Sequence, residues 1–79
     1  MASRPLVPLL ELPSGAKAVV RGLAGGPVFV GRLAAMGLAA DSPLEVLQNR
    51  AHGPVLILVR GTRIALGRGE AAKILVEAQ

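Results

Sequence analysis

The sequence predicts a mainly β fold: a small antiparallel barrel carrying one short α-helix at about 27–36 and a helical turn near 68–73. Three observations predict it. Short runs rich in valine, isoleucine and leucine recur at close intervals and are separated by glycine-rich turns, the rhythm of brief strands. Only one segment spaces large apolar residues by four and three, as a helix face requires. No apolar run approaches the roughly 18 residues of a membrane helix, and the longest candidate, 55–59, has the length of a strand.

Residues 1–8 carry Pro5 and Pro8 and little pattern, so they are expected to form a flexible arm ahead of a single domain at 9–79. Leu9, Leu10 and Leu12 lead into a turn at Pro13, Ser14 and Gly15. The run 17–23 reads as a strand, with β-branched Val19 and Val20 and with Lys17 and Arg21 on one face. Glycines at 22, 25 and 26 make the link to the helix. Pro27 suits a first helical position, where its missing N–H costs nothing. Phe29, Leu33 and Met36 then form one stripe, Gly37 supplies a left-handed stop, and Leu38 returns to the core.

Two further strands are expected at 44–48 and 55–60, joined by a turn containing His52, Gly53 and Pro54. Gly61 and Thr62 read as a two-residue type II′ hairpin loop, with the returning strand at 63–66. Ile74, Leu75 and Val76 close the sheet.

Composition removes several functions. With 79 residues the chain is one domain, and 52% hydrophobic content argues against disorder. No cysteine is present, which excludes disulfides, thiolate metal sites and cysteine nucleophiles. His52 is the only histidine and lies in an expected turn, so a Ser-His-Asp arrangement has poor prospects and no catalytic residue or resident metal is assigned. The glycines at 22–26 fit neither the P-loop nor the dinucleotide fingerprint. The net charge of +4 could favour nucleic acid, but one Phe without Trp or Tyr cannot build a stacking platform. The N-terminal stretch imitates a signal peptide only faintly, because Pro8 and Glu11 interrupt its apolar core. A cytoplasmic location is expected.

The strand at 55–60 breaks the usual alternation. If Val55, Ile57 and Val59 fill the core, Leu56 and Leu58 lie outside, and Leu75 can join them. An exposed leucine patch marks a contact surface unless the helix or the N-terminal arm covers it. Arg60 and Arg63 are expected to face each other across the hairpin, with Arg68 nearby. Solvent screens such a pair, or an anionic partner uses it. The candidate partner-binding residues are therefore Leu56, Leu58, Arg60, Arg63 and Arg68, and homo-oligomerisation through 55–60 is a further expectation.

The segments R-L-A-A-M-G-L at 32–38, L-E-V at 44–46, G-P-V-L-I-L-V at 53–59, R-I-A-L at 63–66 and E-A-A-K-I-L-V at 70–76 resemble the FeoA family in that order. The resemblance covers about 9–77. It implies an SH3-like β-barrel with a short helix. It also implies a non-enzymatic cytoplasmic accessory, with no cofactor, of ferrous iron uptake. The implied partner is FeoB, the membrane G-protein transporter of Fe²⁺, which would hold the chain at the inner face of the membrane without insertion. Similar domains end metal-dependent repressors; no helix-turn-helix segment precedes this one, so the stand-alone form is expected. A transition-metal-binding or metal-sensing role through His52, and then a nucleic-acid-binding barrel, are the alternatives. Two departures stand out. Ala40 and Asp41 replace the family's usual Pro-Gly pair, a place where Asp tolerates a left-handed backbone. Leu56 and Leu58 stand where outward positions are often polar. With Phe29 as the one aromatic, no proline-binding groove of the SH3 type can form.

Overall fold

A computed structural model of the chain describes residues 5–79. In chain order it contains β1 (Leu6–Pro8), a 3₁₀ turn (Leu9–Glu11), β2 (Lys17–Leu23), α1 (Pro27–Ala35), β3 (Pro43–Gln48), β4 (Val55–Val59), β5 (Thr62–Leu66), α2 (Arg68–Ala71) and β6 (Ile74–Ala78). The strands form one antiparallel sheet of order β1-β6-β2-β3-β4-β5. The mainly β, SH3-like architecture is therefore present, but the ladder does not close, and β1 and β5 are its edges.

Alternation decides what the sheet encloses. Ala18, Val20, Leu44, Val46, Val55, Ile57, Val59, Ile64, Leu66, Ile74 and Val76 are all buried. They share one face of five strands. Among the described residues, Leu9, Leu12, Leu33, Leu38 and Ala71 join them as buried residues from outside the strands, and Leu10, Ala16 and Phe29 pack against them half-buried. So few residues cannot cover a flat sheet, and the sheet must curl over itself. Register shifts at Val20/Gly22 in β2 and Val46/Gln48 in β3 supply the local bends that curling needs.

The arm expected at 1–8 is structured in its second half. Leu6, Val7 and Pro8 pair with Glu77, Val76 and Leu75, which makes β1 an edge strand of the domain. Pro8 ends that strand, where a missing N–H is tolerated. Residues 1–4 of the arm lie outside the described residues.

The helix stop at Gly37 forms as expected. Leu38 N–H donates to the Leu33 carbonyl at 2.9 Å and Gly37 N–H to that of Ala34 at 3.0 Å, a Schellman pair. Gly37 has φ +93°, and Leu38 is fully buried. Met36 departs from the expected stripe and is 37% exposed. It is the C-cap residue, where the chain already bends away, so Leu33 alone is fully buried on α1. Asp41 has φ +69°, so the left-handed backbone expected of this turn is adopted by a non-glycine residue. The turn around it is locked by the buried Ser42, whose Oγ accepts from Ala39 N–H and donates to the Gly37 carbonyl, each at 3.2 Å.

The hairpin loop differs from expectation by one residue. Val59 pairs with Thr62, so Arg60 and Gly61 are the loop, with φ +52° and +79°. Two positive φ values define a type I′ turn, not type II′. The cause is the core. Ile64 and Leu66 are buried opposite Ile57 and Val55, and a slip of one residue would turn both outward. Burial of two large side chains outweighs the preference for glycine in the first loop position. Arg60 and Arg63 consequently do not oppose each other.

A candidate interaction surface on the outer face of the hairpin

On the outer face, Leu58 lies between Glu45 of β3 and Arg63 of β5, and Leu56 lies between Gln48 and Ala65. Both leucines are half-buried. Neighbouring strands shield their flanks, while neither is sealed inside the molecule. Arg63 is exposed beside Leu58, and Arg60 is exposed at the hairpin tip. A depression of about 280 Å³ lies next to this tip, lined by Lys17, Pro43, Glu45, Leu58, Arg60 and Gly61 among others.

Two of the residues singled out from sequence lie elsewhere. Arg68 begins α2, and its Nη1 donates to the carbonyls of Arg50 at 2.5 Å and Gly53 at 3.4 Å and to Asn49 Oδ1 at 3.2 Å. Those residues precede β4, whereas the hairpin tip follows it, so the length of the strand separates Arg68 from Arg60. Leu75 packs against Gly22, whose added Cβ would lie 3.7 Å from it. β2 and β3 stand between Leu75 and β4. Leu56, Leu58 and Arg63 form one cluster with Arg60 at its end; Arg68 and Leu75 are not in it.

Charge pairing distinguishes the cations. Arg21 donates to Asp41 at 2.5 Å and Glu77 at 3.3 Å. Its pKa is raised, first by the Asp41 hydrogen bond and then by that to Glu77. Arg32 pairs with Glu70, whose other oxygen accepts the Gly67 N–H at 2.9 Å and so ties the two helices together. Arg32 and Lys73 also sit at 5.8 and 5.4 Å from the Phe29 ring centroid, within cation–π range. That ring lies against Gly25, where φ is +138° and an added Cβ would come within 2.7 Å of it. By contrast, Lys17, Arg60 and Arg63 form no ion pair among the described residues. All three belong to, or adjoin, the depression beside Leu58.

His52 is exposed in the loop before β4. Among the described residues no three histidine or carboxylate side chains gather as a metal site.

Several features were not read from the sequence. Val28 on α1 is 86% exposed and Leu47 is 37% exposed. Val28 could have been found from its position off the 29/33 stripe. Leu47 could have been found from alternation with the buried Leu44 and Val46; what the sequence carries no local signal for is the shift between Val46 and Gln48, which brings Gln48 opposite the outward Leu56. Asn49 was also missed. Its Nδ2 donates to the Leu10 carbonyl at 2.8 Å and the Leu12 carbonyl at 2.7 Å, its N–H to Ser14 Oγ at 2.9 Å, and its Oδ1 accepts from Arg68. One amide thus fastens the N-terminal turn, the loop before β4 and α2.

These features define the class: a small SH3-like β domain with an apolar interior and a cationic outer patch. No helix among the described residues is long and apolar enough to cross a membrane. Residues 7–78 match the model of the FeoA domain. A Methanocaldococcus jannaschii protein whose name assigns it to Fe(2+) transport as protein A is 39% identical over 72 residues, 91% of this chain and 87% of the relative. The crystal structure of an iron uptake regulatory protein (FeoA) superposes with a TM-score of 0.89 at 35% identity, covering 95% of this chain and 100% of that one. The solution structure of a FeoA protein from Chlorobium tepidum gives 0.84 at 30% identity, covering 91% and 70%. A manganese-dependent transcriptional repressor shares the fold, with a TM-score of 0.87 at 23% identity over 45% of its length. The chain belongs to the FeoA family.

Proposed function

We propose that this chain is a non-enzymatic, cytoplasmic accessory of ferrous iron uptake, acting by protein contact with a FeoB-type membrane G-protein transporter. The observation that carries this reading is the family match across 7–78, supported by relatives whose names refer to Fe(2+) transport and iron uptake regulation. The surface chemistry is suited to it. A half-buried leucine pair bordered by unpaired arginines is the composition of a protein interface, with an apolar centre and a charged rim. Contact at this surface would bring the chain to the inner face of the membrane without a segment of its own entering the bilayer.

The test is capture of the transporter from detergent-solubilised membranes of the cells that make this chain. The tagged wild type retains it. The double variant Leu56→Glu, Leu58→Glu keeps the circular-dichroism spectrum and releases the transporter, because two carboxylates replace the apolar centre. Equal capture by wild type and double variant would remove this surface from the interaction. No capture by the wild type would remove the reading itself.

A further inference from the structure

We infer that β5 accepts an extended, acidic segment of a protein partner as an added strand, with the sequence pattern apolar–any–acidic–any–acidic. The inference rests on the protein-contact reading above and specifies what the partner offers.

Strand β5 is an edge of the sheet. The two-residue loop closes on Val59 and Thr62, so Thr62, Ile64 and Leu66 turn their backbone groups towards β4. Those of Arg63 and Ala65 turn the other way. No backbone partner meets them among the described residues, and both residues are exposed. Exposed edges of this kind are usually blunted, and one left open is a template for another strand.

Side chains along the same edge specify what fits. An antiparallel newcomer continues the rows that already cross the outer face. One row runs Lys17, Glu45, Leu58, Arg63, and the next runs Gln48, Leu56, Ala65. The residue beside Ala65 reaches over that small side chain towards Leu56, so it is apolar. Two residues later the newcomer lies beside Arg63, and two residues later again it reaches the hairpin tip at Arg60. Each of those places asks for a carboxylate. Lys17, Arg60 and Arg63 outnumber Glu45, the one acidic side chain lining the depression among the described residues, so the local field is positive. A second copy of this chain fits less well, since β5 carries no carboxylate and would bring only further arginine to the same place.

The experiment is fluorescence anisotropy at low salt. Its probe is a short fluorescein-labelled peptide with the core Leu–Thr–Glu–Thr–Glu, and its controls are the lysine-for-glutamate peptide and one with backbone N-methylation along the pairing edge. The acidic peptide is expected to bind, and both controls to bind at least about tenfold more weakly. Arg63→Glu should weaken binding to the same degree, whereas Arg50→Glu, which changes a cation in the loop before β4, should not. Ala65→Pro removes an N–H that faces away from β4, so the fold should persist while binding is lost. Equal binding of the lysine peptide, full binding of the N-methylated peptide, or no binding of the acidic peptide would each overturn the inference. So would a concentration-dependent dimer, seen by sedimentation, that the peptide fails to dissociate. Transporter capture separates the two levels: capture by wild type and by Ala65→Pro alike would sink the added strand and leave the protein-contact reading intact.

Discussion

The β4–β5 hairpin and helix α1 each present apolar residues to solvent, and they do so differently. On β4 every inward residue is buried, and the outward leucines are half-covered by Glu45, Gln48, Arg63 and Ala65 on the flanking strands. On α1 only Leu33 is fully buried, and Val28 is 86% exposed. A strand in a sheet has neighbours on both sides, so its outer face is shielded sideways. A nine-residue helix with one fully buried side chain has neighbours on one side only. The outward leucines of β4 are therefore partly packed, whereas Val28, on the wrong side of a short helix, is simply wet.

Core substitutions test the inner half of this contrast and carry the largest effects. Ile57→Ala and Leu33→Ala each remove a side chain with no exposure, and each should cost about 2–5 kcal/mol of unfolding free energy in urea titration. A loss at Leu33 far below that at Ile57 would show that the helix yields where the sheet cannot.

Next in size is the anchor at the far end of the hairpin. Asn49→Ala leaves the carbonyls of Leu10 and Leu12 without their donor and frees the guanidinium of Arg68 from one partner. It should cost roughly 1–3 kcal/mol. Faster hydrogen exchange should be confined to the N-terminal turn and the loop before β4; exchange spread evenly through the sheet would contradict local fastening.

The smallest effects sharpen the outer half. Leu58→Ser gives up partial cross-strand packing and should lower stability by about 0.2–1 kcal/mol. Val28→Ser changes a residue with almost no packing to lose, so its effect on the melting curve should stay within about 0.5 kcal/mol. A Val28 effect as large as that of Leu58 would mean that α1 packs more tightly than its exposure shows.

Much of this molecule was legible in one dimension. Pro27, Gly37 and Leu38 mark the helix, because capping acts among residues adjacent in the chain. The alternation of Val55, Ile57 and Val59 names the inward face of β4, because side chains alternate along any strand. The motifs at 32–38 and 53–59 already pointed to the FeoA family. Tertiary structure alone decided how those pieces register. The hairpin turns at Arg60–Gly61 rather than one residue later because Ile64 and Leu66 must meet the core together. Gln48 lies opposite the outward Leu56 because a register shift beside it bends β3. Arg68 and Asn49 hold loops together because the chain brings distant carbonyls to them. Local signals report on neighbours in sequence. Register, coverage and polar anchoring depend on surfaces that meet only when the sheet curls, so they emerge from closing the core.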